Sequence, residues 1–384
     1  MPGALGRLWW GPAAAAVVFA ACSSSTAPQP QLSNPQQLST NLQTVSGVLT
    51  SPTFASFGAL RTASGSPVAA PTVPGALLGA APITPPATST QAYAGAPARL
   101  EALRLAAASL GSGIAASVIP PTQLGKTYVW DVTTHAYVAQ SGGPTNGVRV
   151  ILYALDPITG QVSEQPLTAV GYVDLLDEST TSTNTLHVLV YGGTPTSQGT
   201  KYADYKVSGT VTGSPATAFN ASAAGSVTDG THTLTFNASF AATQLNTTTP
   251  NVQIDVTWSL DNPAVSVTLS ETVAAADANH LTLTIHFSET YAAETVAVDG
   301  TLAIVVSPQS VTANLTVKVN GQNFATITGT ADATNPSGIH VSHADGSALS
   351  TAEQAALASL FDLPDKLEKA IDDLFHPCER LMGA

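Results

Sequence analysis

The chain has 384 residues, with 12 Lys or Arg against 25 Asp or Glu and a formal net charge of −13. So acidic and base-poor a chain argues against nucleic acid and anionic lipid surfaces as partners. Two cysteines rule out a fold held by several disulfides.

Residues 1–21 divide as a secretory signal does. One positive charge, Arg7, precedes an apolar stretch from Leu8, and small residues lead up to Cys22. The stretch is shorter than the ~20 apolar residues of a membrane-spanning helix, and Gly11-Pro12 interrupts it. No acid occurs before Glu101, so removing residues 1–21 takes one base and leaves eleven bases against 25 acids.

Phe19-Ala20-Ala21-Cys22 resembles the lipobox of bacterial lipoproteins, with Phe19 where Leu is usual. The resemblance implies that Cys22 becomes an acylated (palmitate-bearing) first residue, and that the lipid is the membrane anchor. By the same resemblance, Ser23 after the cysteine implies sorting to the outer membrane. Whether the body is then periplasmic or surface-exposed stays open. The alternative is an ordinary secretory signal with a chance cysteine. With Cys22 acylated, Cys378 has no intrachain partner; it reads as an idle thiol, or else as one half of an intermolecular disulfide.

Residues 22–97 read as a mostly low-complexity tether. Ser, Pro and Gln fill residues 23–35, and Ala, Pro, Thr and Gly fill residues 63–96. Leu38, Leu42, Val45 and Leu49 recur at helical spacing and predict a short helix near 36–50. Leu100, Leu103 and Leu105 predict another within 98–117.

From Lys126 to about residue 345, alternating Thr, Val, Ser and aromatic residues predict an antiparallel β-body with one buried and one wet face. Tyr128, Trp130 and Tyr137 bracket a hairpin. Val148–Leu155 and Leu186–Tyr191 are strands, and the first ends at the turn Asp156–Gly160. The segment from Pro144 to Gly160 looks like segments of uncharacterised bacterial lipoproteins, a likeness that carries no function.

Turn pairs set a register further on. A turn at Asp229-Gly230 pairs Phe219 with Phe240 and Ala223 with Phe236. One at Asp261-Asn262 pairs Trp258 with Val265. A three-residue loop at 276–278 pairs Val267 with Phe287, and Pro308-Gln309 pairs Val306 with Val311. Asp299-Gly300 would split the apolar faces if it turned, so Gly300 is expected inside a strand. The wet face then carries hydroxyl-rich rows, among them Asp255/Thr268/His286.

Ser350-Thr-Ala-Glu353 fits a capping box. It opens helices over 350–376 with apolar stripes Leu357/Leu360/Phe361 and Leu367/Ile371/Leu374/Phe375, broken at Pro364. The fold class expected is therefore mainly β with flanking helices (α+β): a long antiparallel up-and-down meander whose apolar face is covered by N- and C-terminal helices.

Chemistry-bearing motifs are sparse. Asp255/Thr268/His286 superficially resembles a hydrolase triad, but its outer members would lie roughly 10 Å apart across two strands, too far for the base–orienter hydrogen bond. His340 and His343, near Asp345, would point to opposite faces of a strand and read as surface histidines rather than metal ligands. Neither catalysis nor a cofactor is expected.

The reading that follows is a non-catalytic, lipid-anchored envelope protein acting as a structural or interaction module. A first alternative is a carrier of hydrophobic ligand or lipid. A curved sheet with helices over its apolar face is similar in architecture to periplasmic carriers of the LolA/LolB type, and Phe219, Phe236, Phe240, Trp258 and Phe287 would form the ligand face. Surface adhesion or glycan binding is a second alternative, and a transmembrane barrel a third. Expected partners are the membrane, through the N-terminal lipid, and an envelope protein or apolar ligand; nucleic acid is not one.

Overall fold

The computed structural model describes residues 30–34, 36, 37, 40, 44, 48, 52–60, 63–66, 118–213, 217–277, 279–335, 337–358 and 360. Cys22, the predicted helix within 98–117, the stripe from Leu367 to Phe375 and Cys378 lie outside these residues.

Alternation of apolar and polar side chains runs almost unbroken from Lys126 to His343 and builds one sheet of 15 strands. The first seven are β1 (Lys126–Asp131), β2 (Ala136–Ser141), β3 (Gly147–Tyr153), β4 (Ala169–Asp177), β5 (Asn184–Thr194), β6 (Ser197–Thr212) and β7 (Ala218–Thr228). Then come β8 (Thr233–Thr243), β9 (Asn251–Leu260), β10 (Val265–Ala275), β11 (His280–Tyr291), β12 (Glu294–Val305), β13 (Ser310–Val319), β14 (Gln322–Asp332) and β15 (Ile339–His343). From β3 to β15 every strand pairs antiparallel with the next. The one departure is at the start, where β1 lies parallel to β3 and leaves β2 as the edge.

An open sheet this wide curls, and here its inner face is apolar along its whole width. Val150, Leu175, Val188, Tyr205, Phe236, Trp258, Phe287, Val298, Leu315 and Ile327 share one core. Small residues sit beside large ones there. Gly225 stands between Tyr205 and Phe236 in the register, and the two rings meet across it at 5.9 Å.

Each hairpin predicted from a turn pair keeps its inner and outer faces but is displaced by two residues. Ala221, not Phe219, faces Phe240, and Gly225 faces Phe236. Val267 faces Trp258, Leu269 faces Phe287, and Val305 faces Ser310. Local chemistry at the turns accounts for this. Asp229 Oδ1 accepts the N–H groups of Thr231 and His232, both at 2.7 Å, which draws four residues into that turn. A tight Leu260–Pro263 turn would need an N–H that Pro263 lacks. Pro308 holds φ negative, which the favoured two-residue hairpin turns forbid at that position. Asp277 Oδ1 takes the N–H groups of Asn279 and His280 and moves the centre of the next loop. Gly300 does lie inside a strand, β12.

Helix is scarce. Residues 36, 37, 40 and 44 are helical, within the predicted 36–50 stretch. A helix that the periodicity did not reveal, α1 (Pro52–Ala59), packs on β3, β4 and β5. Its Ser56 hydroxyl donates to the Tyr153 carbonyl at 2.8 Å, and Phe57 is fully buried. The capping box forms as expected. Ser350 N–H donates to Glu353 Oε2 at 2.8 Å and Glu353 N–H to Ser350 Oγ at 3.3 Å, opening α2 (351–358). Leu349, Ala356, Leu357 and Leu360 join the sheet's core. At the far side Leu32 is buried in the same core, and Ser33 N–H donates to Glu294 Oε2 at 2.9 Å.

Candidate functional site

Two places concentrate chemistry, one on each face of the middle strands. On the outer face the corrected register assembles a row the sequence did not show. Asp255 faces Ser270, Ser270 faces His286, and His286 faces Asp299. Thr268 is not in this row; its hydroxyl pairs with that of Ser288 at 2.7 Å, one pair along. The row lines a shallow groove of about 300 Å³ together with Thr257, Thr268, Ser288 and Ala297.

The order Ser270–His286–Asp299 resembles a nucleophile, base and orienter, but the hydrogen bonds run otherwise. Ser270 Oγ donates to Asp255 Oδ1 at 2.6 Å, so its proton is aimed at a carboxylate on the side away from the imidazole. His286 Nδ1 lies 3.0 Å from Asp299 Oδ1, and Lys318 Nζ donates to Asp299 Oδ2 at 2.8 Å. Burial opposes ionisation of Asp299, yet Lys318 and His286 outweigh it and hold the carboxyl below the usual range. Strand backbone N–H groups here are spent on the ladder, which leaves no evident donors for a developing oxyanion. The arrangement is an ion-paired, hydroxyl-lined surface suited to hydrogen-bonding a polar ligand.

His340 and His343 diverge as expected. His340 is exposed, whereas His343 turns inward, edge-on to Phe324 at 5.0 Å and 3.4 Å from Glu353 at the start of α2. Among the described residues no group of three His, Cys, Asp or Glu side chains is placed to share a metal ion.

The inner face holds the second place. The five rings Phe219, Phe236, Phe240, Trp258 and Phe287 are all buried in the common core. That face is buried across its width. On β3 to β5, Val148, Val150, Leu152, Val173, Leu175, Leu186, Val188 and Val190 are all 0 % exposed. On β8 to β11, Phe236, Phe240, Ile254 and Phe287 each keep 5 %, and Val256 keeps 7 %. Ala242, Val267 and Leu283 on the same strands keep no more than 1 %, so the middle of the inner face is buried as its flank is.

Two acids also face inward there, Glu271 and Glu289, each 2 % exposed. Sequence reasoning missed both. The signal was present, because each occupies an apolar position of its strand's alternation: Val265-x-Val267-x-Leu269-x-Glu271 and Leu283-x-Ile285-x-Phe287-x-Glu289. Neither oxygen of Glu289 finds a hydrogen-bond partner among the described residues, and neither does the indole Nε1 of Trp258. These orphans lie in one cross-strand row, Trp258–Val267–Glu289. Burial, and then the neighbouring Glu294, push the Glu289 carboxyl up to about 8. It is therefore mostly a neutral acid at pH 7, able to donate one hydrogen bond.

No family model, no curated protein and no solved structure matches this chain.

Proposed function

We propose that this chain is a non-catalytic, lipid-anchored protein of the cell envelope that holds a hydrophobic ligand against the middle of its inner face. One observation carries the reading: the apolar wall of β9–β11 holds buried polar atoms, Trp258 Nε1 and both Glu289 carboxyl oxygens, that lack partners among the described residues. Buried polar groups are almost always satisfied, and an unmet one costs about 1–3 kcal/mol. A bound molecule that met them would explain why evolution tolerates them in an otherwise apolar wall. The anchor would be the acylated Cys22.

Native mass spectrometry and solvent extraction of the full chain, purified from its own membranes, test the reading. A stoichiometric, non-peptide apolar adduct is the expected result. The reading fails if the protein emerges empty and also takes up no apolar dye such as N-phenylnaphthylamine.

The outer groove supports a second reading, an interaction module. Its Asp255, Ser270, His286 and Asp299 would hydrogen-bond a hydroxyl-bearing partner, a glycan among them. Loss of that partner in an Asp255→Ala, His286→Ala double variant, with the apolar adduct retained, would favour it.

A further inference from the structure

Resting on the ligand-carrier reading, the geometry points to the chemical class of the ligand: we infer a neutral acyl compound whose ester or amide group accepts hydrogen bonds from Trp258 Nε1–H and from the Glu289 carboxyl. Trp258 and Glu289 belong to adjacent-but-one strands, so their backbones lie roughly 10 Å apart. Both side chains are long and rise from the same face on either side of Val267, and an ester lying over that valine presents one oxygen to each. An indole N–H can only donate. A carboxyl buried without a counter-charge stays protonated and donates as well. Two orphan donors call for an acceptor, and the apolar side chains of Phe236, Val267 and Phe287 beside them in the register call for a hydrocarbon chain.

Charge excludes the alternatives. The ionisable groups beside Glu289 on the inner face of the described strands are Tyr291 on its own strand and Glu294 across on β12, and neither is basic. An anionic headgroup would meet carboxyls with no base to offset them. A cationic amphiphile could pair with ionised Glu289, but would leave the Trp258 N–H unmet.

The test uses the full chain and three oleyl probes of equal chain length: monooleoylglycerol, oleylamine and plain octadecene. Binding is followed by displacement of N-phenylnaphthylamine between pH 6 and 9.5. Monooleoylglycerol is expected to bind best, with affinity falling as pH rises past about 8, where Glu289 ionises. Trp258→Phe keeps the ring and loses the donor; Glu289→Leu loses the other. Each is expected to weaken the ester about five- to tenfold and to leave octadecene unchanged. Glu289→Gln, which still donates, retains the ester and loses the fall above pH 8. Glu289→Leu removes a buried polar group, so the fold is expected to survive it.

The headgroup inference is overturned, with the carrier reading intact, if octadecene binds as well as the ester and neither variant matters. It is also overturned if oleylamine binds best with affinity rising towards pH 8. Binding of none of the three overturns the carrier reading itself.

Discussion

At the residue scale, Glu289 makes the stability of the protein depend on pH in an unusual direction. Its carboxyl titrates near 4.5 when unperturbed and about 8 in the fold. Between those values the unfolded chain gives up a proton that the folded chain keeps, so stability falls as pH rises and levels off above about 8. The full effect is about 5 kcal/mol. Carboxyls held low, such as Asp299, act on the acid side of this window. Urea unfolding at pH 5.5 and 8.5 is expected to show the wild-type chain weaker at the higher pH and Glu289→Gln nearly level. An equal slope in both would remove Glu289 as the cause. The outer-face pair Arg149–Asp174 behaves conventionally. Two parallel hydrogen bonds of 2.7 Å join them, and the guanidinium lies 4.7 Å over the Tyr172 ring. Asp174→Ala is expected to cost about 2–3 kcal/mol. Arg149→Lys should lose most of this as well, because an ammonium has neither the fork nor the flat stack. Chemical denaturation of the two variants checks both.

At the element scale, the faces of the strands were legible and their partners were not. Alternation is a property of each strand by itself, so Trp258, Phe236 and Phe287 could be assigned to the apolar side without knowing any turn. Register depends on the backbone of a few turn residues. There the side chain of Asp229, the missing N–H of Pro263 and the fixed φ of Pro308 overrode the tightest hairpin. A shift of two preserves faces, but it changed the outer row from Asp255/Thr268/His286 to Asp255/Ser270/His286/Asp299. The inward acids went unread because attention to alternation as an apolar pattern passes over its exceptions. Helix α1 went unread although Ser51-Pro52 offers an N-cap residue and a first-turn proline, because Pro52–Ala59 carries no charge to frame a polar face.

Gly300 was legible by the same logic and gives a sharp test of the strand. It adopts φ 147°, and a Cβ there would stand 2.1 Å from the Asn314 carbonyl oxygen. Gly300→Ala is expected to destabilise by about 2–4 kcal/mol. Gly230→Ala, at φ 94° in a turn with open space around it, should cost only about 1 kcal/mol. Comparable melting shifts in the two variants would contradict the packing described for β12. Ser350→Ala removes one half of the cap on α2 and is expected to cost about 1 kcal/mol.

At the scale of the whole molecule, the distribution of polarity decides how it can meet a membrane. A transmembrane barrel is closed and turns an apolar band outward to lipid. This sheet runs from β15 to β2 without closing and has the opposite polarity. Apolar side chains face the core, while the outer face carries Thr257, Thr268, Ser288, His286 and Asp299. Burying that face in hydrocarbon would strand hydroxyls, carboxylates and an ammonium at a cost of several kcal/mol for each unsatisfied group. No helix among the described residues is long and apolar enough to cross a membrane. On the proposal that Cys22 is acylated, attachment is expected to reside in its acyl chains, and a single cysteine should control it. In a bacterial host the wild-type chain is expected to sediment with membranes, resist washing with salt or alkali, and incorporate labelled palmitate. Cys22→Ser should lose the label and move to the soluble envelope fraction with its urea transition unchanged, since Cys22 precedes Leu32, the first core residue among the described ones, by ten positions. Retention of Cys22→Ser in alkali-washed membranes would show that the body itself inserts, and would require the outer face to be covered by something other than water.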